Sequence, residues 1–131
     1  MDAYWFDTSG QYQRKKEPGL RETSEDIQRQ NLCCAVCGNN ITSSNDAIQI
    51  EGAHQHTKLN PEGRKFLIRC FSSGAGCRYN GDATTNHSWF SGYSWRFAHC
   101  SKCNIQLGWV FQGNEQFLGL IHEQLIPCDG E

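Results

Sequence analysis

Four cysteines in two short pairs carry the clearest chemistry in this 131-residue chain. Cys34 and Cys37 are separated by two residues, and Cys100 and Cys103 have the same spacing. Two thiolates at this spacing bind one metal ion, while the turn between them aims backbone N–H groups at the sulfur atoms. A glycine or an asparagine follows each pair, and both tolerate the positive φ that such a turn requires. The pairs therefore predict a tetrahedral four-cysteine site.

Four thiolates suit zinc best, and they leave no open position for a metal-bound water. We therefore expect one Zn²⁺ ion with a structural role. Disulfides are the alternative for eight cysteines, but two distant Cys-x-x-Cys pairs without an export signal are typical of metal ligands in a reducing compartment. The remaining cysteines are expected as buried or surface thiols, with neither a catalytic nor a disulfide role: Cys33, Cys70, Cys77 and Cys128.

Three of the four tryptophans lie near the second cysteine pair. Trp89 and Trp95 flank a Gly-Tyr turn, and Trp109 follows the pair. A buried indole needs an acceptor for its N–H group, so tryptophan is a demanding choice where only apolar bulk is required. The composition leaves two interpretations open. Either the three rings wall a small box around a flat polar ligand, or they are large core residues beside the metal site.

The elements that position these groups are expected to be β-strands. Alternation predicts strands at residues 47–51 and 64–71, on either side of a Pro-Gly turn at 59–63. A long loop is expected at 72–82, and a closing strand with a short capping piece at 116–126.

The second cysteine pair is predicted to join two strands as a hairpin. Alternation places these residues on one face of each strand: Trp95, Phe97 and His99 in the first, and Ile105, Leu107, Trp109 and Phe111 in the second. Positions equidistant from the pair lie opposite each other, so we expect Trp95 near Gly108 and Trp109. Gly108, which has no side chain, is expected to leave room between the two indoles.

The two ends of the chain are expected to lie outside the domain. Residues 1–26 are polar and lack periodicity, which predicts a largely flexible N-terminal arm. A hydroxyl cap before acidic residues predicts a short helix that reaches about Asn31. The domain itself is expected at residues 27–127, with a C-terminal tail at 128–131.

Overall composition excludes several classes of function. The formal net charge is −2, with 12 Lys and Arg against 14 Asp and Glu, so there is no electrostatic basis for binding nucleic acid or an anionic membrane. No apolar run reaches the length of a signal-peptide core or a membrane span. We expect a monomeric, cytoplasmic protein that binds neither nucleic acid nor membrane.

The spacing of these motifs resembles the CULT domain, the thalidomide-binding domain family of cereblon. The block from His87 to Trp95, together with correctly placed cysteine pairs, makes the resemblance specific. The matching motifs are Cys34-x-x-Cys37, Asn60-Pro61-x-Gly63, His87-Ser88-Trp89-Phe90-x-Gly92-Tyr93-x-Trp95, Cys100-x-x-Cys103, Gly108-Trp109-x-Phe111 and Gly119-Leu120.

The resemblance implies a mostly β fold called a β-tent, in which a structural zinc site with four cysteine ligands pins two antiparallel sheets. It also implies non-enzymatic capture of cyclic imides: glutarimide, thalidomide-type compounds, uracil-like rings and the C-terminal cyclic-imide ends of peptides. The ligand-binding residues that it implies are Asn60, Pro61, His87, Ser88, Trp89, Trp95, Trp109 and Phe111.

Each of these positions has an implied role. The three tryptophans form a three-walled cage with Phe111 at its base, and Asn60 and Pro61 lie on a loop at the rim. His87 offers its backbone carbonyl and its ring, and the backbone N–H of Trp89 holds the opposite imide oxygen. An imide edge presents acceptor, donor and acceptor in order, so a carbonyl between two donors complements it.

Two rival functions come from other classes. An enzyme resembling methionine-sulfoxide reductase would share the tent and the zinc, but it needs a reactive cysteine in the pocket. Residues 107–112, the strand that would supply it, contain none. A protein-interaction module is the other rival, and it would use exposed aromatic residues such as Tyr4, Trp5 and Phe6 in the N-terminal arm.

Overall fold

Nine β-strands form two antiparallel sheets in the computed structural model, which describes residues 30–128. In chain order the strands are β1 (Asn31–Cys34), β2 (Asn40–Ser43), β3 (Gln55–Leu59), β4 (Lys65–Phe71), β5 (Cys77–Thr84), β6 (Ser94–Cys100), β7 (Gln106–Gln112), β8 (Gln116–Ile121) and β9 (Leu125–Cys128). Single turns of 3-10 helix lie at Ser44–Asp46 and His122–Gln124. Within the described residues, no helix has the length and apolar character needed to cross a membrane.

The small sheet has the order β2-β1-β9, and the large sheet has the order β3-β4-β8-β7-β6-β5. All of the pairings are antiparallel. The sequence prediction of a mostly β fold with two antiparallel sheets is confirmed.

Apolar clusters cover both faces of the central strands of the large sheet. One face packs against the small sheet, where Leu32 and Ile41 meet Phe71, Val110 and Leu118. The opposite face carries a second apolar cluster, built from Ile68, Phe90, Trp109, Phe111 and Phe117. Full burial of one such side chain contributes about 1.5 to 3 kcal/mol. The second cluster forms the floor of an aromatic pocket.

The two cysteine turns have the same hydrogen-bond pattern. The N–H of Gly38 donates to the carbonyl of Cys34 at 2.8 Å, and the N–H of Asn104 donates to the carbonyl of Cys100 at 2.9 Å. Gly38 and Asn104 have φ values of 82° and 71°, as their positions after each pair predict. The first turn links β1 to β2 in the small sheet, and the second links β6 to β7 in the large sheet.

The predicted register of the β6–β7 hairpin is wrong. Trp95 lies opposite Phe111, and Phe97 lies opposite Trp109. The turn extends past the second cysteine pair, because the N–H of Cys100 donates to the carbonyl of Ile105 at 2.9 Å. Positions equidistant from the cysteines are therefore not partners.

The residues predicted to share one face of each hairpin strand are correct for β6 and partly wrong for β7. A register shift near His99 interrupts the alternation. As a result, Leu107 joins the core between the sheets, while Trp109 and Phe111 belong to the pocket-side cluster.

Gly108 has a different role from the predicted one. It pairs with Ala98 in β6 and with Leu120 in β8. A side-chain carbon on Gly108 would collide with the backbone oxygen of Gly119. The glycine therefore permits close approach of β7 to β8, and it does not separate two indoles.

Two of the predicted elements outside the hairpin are corrected. Residues 47–51 form no strand: they make only isolated bridges, Ala47 to Phe71 and Ile50 to Ala53, because the chain reverses at Glu51 and Gly52 with positive φ. Residues 77–82 of the loop expected at 72–82 belong instead to β5, which pairs with β6. The sequence of β5 is polar, so no apolar alternation predicted this strand. The strands predicted at 64–71 and 94–100 are confirmed as β4 and β6, and the predicted closing strand is β8.

The predicted ends can be compared only in part. Asn31 begins β1, so the predicted helix does not reach it. β9 runs to Cys128, one residue beyond the domain end expected at 127. The arm predicted at residues 1–26, the rest of the predicted helix and the aromatic triplet from Tyr4 to Phe6 lie outside the described residues.

Cys33 and Cys128 form a disulfide, which corrects the prediction that both are thiols. Pairing of β1 with β9 brings their Cα atoms to 6.0 Å across a sequence separation of 95 residues. Cys70 and Cys77 are free thiols, as predicted.

Candidate functional site

The four paired cysteines converge at the junction of the two sheets. Their sulfur atoms all lie within 4.8 Å of one another. Two of the sulfur–sulfur contacts join the two turns: Cys34 to Cys103 at 3.7 Å and Cys37 to Cys100 at 3.6 Å. A tetrahedral thiolate site with metal–sulfur bonds of about 2.3 Å has sulfurs about 3.8 Å apart. The cluster therefore fits one tetrahedral metal ion.

Hydrogen-bond donors surround the buried sulfurs. The backbone N–H of Val36 points at Cys34, and that of Lys102 points at Cys100, both at 3.4 Å. The amide of Asn39 also reaches the Cys100 sulfur at 3.7 Å. Burial opposes ionisation of Cys100, but hydrogen bonds from the backbone of Cys103 and Lys102 and from the side chains of Cys37 and Asn39 outweigh it and lower its pKa to about 6. Cys100 thus favours the thiolate form that binds a metal. At Cys103 a backbone hydrogen bond from Ile105 favours ionisation, but desolvation and the neighbouring thiols outweigh it and raise the pKa to about 12.

A separate cavity of about 470 Å³ opens on the other face of the large sheet. Its lining comes from the β3–β4 turn, from β4, β6 and β7, and from the loop before β6. The lining includes every predicted ligand-binding residue except Ser88: Asn60, Pro61, His87, Trp89, Trp95, Trp109 and Phe111. The Ser88 hydroxyl donates to the carbonyl of Phe90 at 3.0 Å, a bond that stabilises the loop.

The three indoles stand in two groups around this cavity. Trp89 and Trp109 meet edge to face, with ring centroids 4.7 Å apart. Trp95 packs edge to face on Phe97 at 5.2 Å, and its ring contacts within the described residues include neither of the other indoles. Trp95 therefore stands apart from the Trp89–Trp109 pair.

Backbone acceptors fix two of the indoles. The Trp89 N–H donates to the carbonyl of Leu59, and the Trp95 N–H donates to the carbonyl of Asn86, each at 2.8 Å. The first bond attaches the loop before β6 to the end of β3, and the second attaches that loop to β6. These bonds meet the polar requirement of the rings and fix the directions in which they face.

The floor of the cavity is a packed aromatic cluster. Phe111 is 1% exposed, and its ring lies 5.0 Å from Phe90 and 5.1 Å from Phe117. Edge-to-face and stacked contacts of this kind add to the apolar burial of each ring. The floor cannot move without disturbing the core of the sheet.

Asn60 builds the rim loop with its own side chain. Its carbonyl oxygen accepts hydrogen bonds from the N–H of Glu62 at 3.0 Å and from the N–H of Arg64 at 2.8 Å. Its amide nitrogen donates to the Glu62 carboxylate at 3.3 Å. The polar atoms of Asn60 are thus occupied within the loop, so Asn60 positions the rim.

The loop before β6 presents two main-chain groups without partners. His87 is exposed and has a φ of 58°, a left-handed conformation that is unusual for a residue with a side chain. Among the described residues, neither the His87 carbonyl nor the Trp89 backbone N–H has a hydrogen-bond partner. The loop therefore offers one acceptor and one donor beside the cavity.

Sequence reasoning missed several residues of the lining. Phe66 shares a face of β4 with the buried residues Ile68 and Cys70, so alternation along a correctly predicted strand was a usable signal. The position of Gln106 depends on the bulge in β7, which no local signal reveals. The missed residues are Glu62, Arg64, Phe66, Phe97 and Gln106.

Several cereblon proteins are similar in sequence to this chain. No protein-family profile matches the chain. Protein cereblon from Gallus gallus is 30% identical over 106 residues, and protein cereblon from Danio rerio is 30% identical over 104 residues. Protein cereblon from Drosophila melanogaster is 28% identical over 99 residues.

These matches cover most of this chain but little of the relatives. They include 73%, 73% and 72% of the chain, and 23%, 24% and 15% of the respective cereblon sequences. The chain thus spans about a quarter or less of the length of these relatives. With two antiparallel sheets, a four-cysteine cluster and this similarity, the chain is a cereblon-like domain of the CULT family.

Proposed function

We propose that this domain binds cyclic imides reversibly in the tryptophan-lined cavity. The observation that carries the proposal is the loop before β6, where an unpaired carbonyl at His87 and an unpaired N–H at Trp89 border three indole walls. An imide N–H can donate to that carbonyl, and an imide oxygen can accept from that N–H. The methylene groups of the ring would pack on the indole faces.

The size of the site suits ligands such as glutarimide, thalidomide-type compounds, uracil-like rings and peptide ends that carry a cyclic imide. Glutarimide has about eight heavy atoms, so micromolar affinity asks for roughly 1 kcal/mol per atom, below the limit of about 1.5 for very small ligands. The fixed walls support such efficiency, because little conformational entropy remains to be lost on binding. We propose a dissociation constant in the low micromolar range.

We further propose that the four-cysteine cluster holds one zinc ion with a structural role. Zinc prefers tetrahedral thiolate sites, and four protein ligands leave no position for substrate or water. The cluster joins the β1–β2 turn to the β6–β7 turn, so the ion would hold the two sheets together. The sulfurs Cys34, Cys37, Cys100 and Cys103 would supply all four ligands.

The location and protonation of the free thiols favour a binding role over an enzymatic one. The cavity lining described above includes no cysteine. Burial raises the pKa of Cys70 to about 11 and that of Cys77 to about 12, so neither is a reactive thiolate at neutral pH. We therefore propose a non-enzymatic, monomeric module whose partners are small imides or peptides that carry them.

Fluorescence titration of the metal-loaded protein with glutarimide tests the proposal. We expect saturable quenching, and we expect N-methylglutarimide to bind at least about tenfold more weakly, because it lacks the N–H donor and adds a methyl group at the carbonyl. Equal quenching by both compounds, or no response from the folded protein, would refute imide binding at this site.

A further inference from the structure

One cationic side chain, Arg64, lines the tryptophan-walled cavity. Two hydrogen bonds to Asn60, across the β3–β4 turn, fix the backbone of Arg64. The Arg64 N–H donates to the Asn60 side chain at 2.8 Å, and its carbonyl accepts from the Asn60 N–H at 2.9 Å. The side chain therefore starts from a defined point at the beginning of β4.

Aromatic contacts connect the Arg64 guanidinium to the cage. The guanidinium carbon lies 5.0 Å from the ring centroid of Phe66, a cation–π contact. Phe66 in turn meets Trp109 edge to face at 5.2 Å. The positive charge is thus held beside the wall of the cavity, on the exposed loop at its rim.

The guanidinium has no carboxylate partner among the described residues. Glu62 also lines the cavity, but its carboxylate accepts a hydrogen bond from the Asn60 amide. Both charges stand on the same short loop without forming an ion pair. The five N–H donors of Arg64 are therefore free to meet an anion in a bidentate arrangement.

We propose that Arg64 makes this cavity selective for cyclic imides that carry an anionic group next to the ring. This inference rests on the proposed function, since the ring must first occupy the tryptophan cage. Among peptides ending in a cyclic imide, the favoured ligands have an acidic residue directly before the cyclised one. Its carboxylate would lie over the rim, within reach of the guanidinium.

Two isosteric ligands test the proposal by calorimetry: N-acetyl-Asp-3-aminoglutarimide and N-acetyl-Asn-3-aminoglutarimide. They differ in charge and hardly in size. At low ionic strength we expect the wild-type domain to bind the Asp ligand about three- to fivefold more tightly, the range of an exposed ion pair. The preference should decline at high salt because the charges are screened.

Variants at the rim assign the preference to one side chain. Arg64→Gln should remove the preference for the Asp ligand, whereas Arg64→Lys should retain part of it. Lys65→Gln is the matched control, since Lys65 is an exposed cation on the neighbouring position and does not line the cavity. It should leave the preference intact.

The outcomes distinguish the proposed role of Arg64 from the proposal that the cavity binds cyclic imides. Equal affinity for both ligands, with the Asn ligand and glutarimide still bound, would overturn the role of Arg64 alone. A preference that survives Arg64→Gln would overturn it as well. Failure of every imide to bind the folded domain would overturn both proposals together.

Discussion

The indole N–H of Trp95 donates a hydrogen bond to the backbone oxygen of Asn86 at 2.8 Å. This bond ties strand β6 to the loop that carries His87 and Trp89. The Trp95 side chain thus lines the cavity and also fixes the loop that contributes His87 and Trp89 to the lining. The position of the loop depends on an atom that only tryptophan supplies at this site.

Replacement of Trp95 by phenylalanine separates these two roles. Trp95→Phe retains an aromatic wall but leaves the Asn86 carbonyl without its donor. We expect glutarimide affinity to fall about two- to tenfold, the range of one net hydrogen bond, and Trp95→Ala to weaken binding further. Calorimetric titration measures both. Identical affinities for wild type and Trp95→Phe would mean that the bond does not organise the loop.

Removal of the metal is expected to destabilise the whole domain. The cluster joins turns from two different sheets, and structural zinc contributes about 10 kcal/mol or more in small model domains. We predict one bound ion per chain, and loss of cooperative unfolding after chelation or in Cys103→Ser. Metal analysis and thermal unfolding measure these effects. Cys77→Ala is the control, since Cys77 lies outside the cluster and should leave the metal content unchanged.

Local signals in the sequence predicted the centre of the fold. The cysteine spacings, together with Gly38 and Asn104, identified two turns whose hydrogen bonds proved equivalent. The alternation of β6 placed Trp95 on its correct face. These features depend on a few adjacent residues, so they can be predicted without knowledge of distant partners.

Features that depend on long-range pairing were missed. The bulge in β7 moved Leu107 to the opposite face and shifted the partner of Trp95 to Phe111. Pairing of β1 with β9 created the Cys33–Cys128 disulfide, which no local pattern indicates. For the same reason Arg64 was not predicted to line the cavity, because its place at the rim depends on how the β3–β4 turn lies against β7.

Loss of the Cys33–Cys128 bond should lower stability without affecting the cavity. A cross-link across 95 residues restricts the unfolded chain, and such bonds typically contribute about 2 to 4 kcal/mol. We expect Cys128→Ser to lower the free energy of unfolding by this amount in urea titrations. Wild type treated with a thiol reductant should match the variant. Equal stability of untreated wild type and variant would show that the bond contributes nothing.

The half-buried ring of His54 predicts a loss of stability in mild acid. Burial lowers its pKa, and the charge of Arg69 adds to the effect. Its Nδ1–H donates to the Ile48 carbonyl at 3.0 Å, while Nε2 accepts from the Arg69 guanidinium at 3.3 Å, an arrangement that requires the neutral ring. Protonation therefore favours the unfolded chain, in which the pKa is about 6.5.

The contribution of His54 is complete above that pKa and declines as the pH falls below it. The free energy of unfolding of wild type should thus drop more steeply than that of His54→Gln between pH 7.5 and about pH 5. Denaturant titrations of both proteins at each pH measure the difference between their free energies of unfolding. Protonation of the thiolate ligands affects both proteins equally, so it cancels in this difference. A difference that stays constant over this range would contradict the assignment.

The most direct test of the central claim is a ¹H–¹⁵N NMR titration of the metal-loaded protein with glutarimide. We predict that the indole signals of Trp89, Trp95 and Trp109 and the backbone amide of Trp89 shift along one saturable curve. N-methylglutarimide should leave the Trp89 amide nearly unshifted at the same concentrations. Shifts confined to other parts of the domain, or none at saturating glutarimide, would contradict imide binding in the tryptophan-lined cavity.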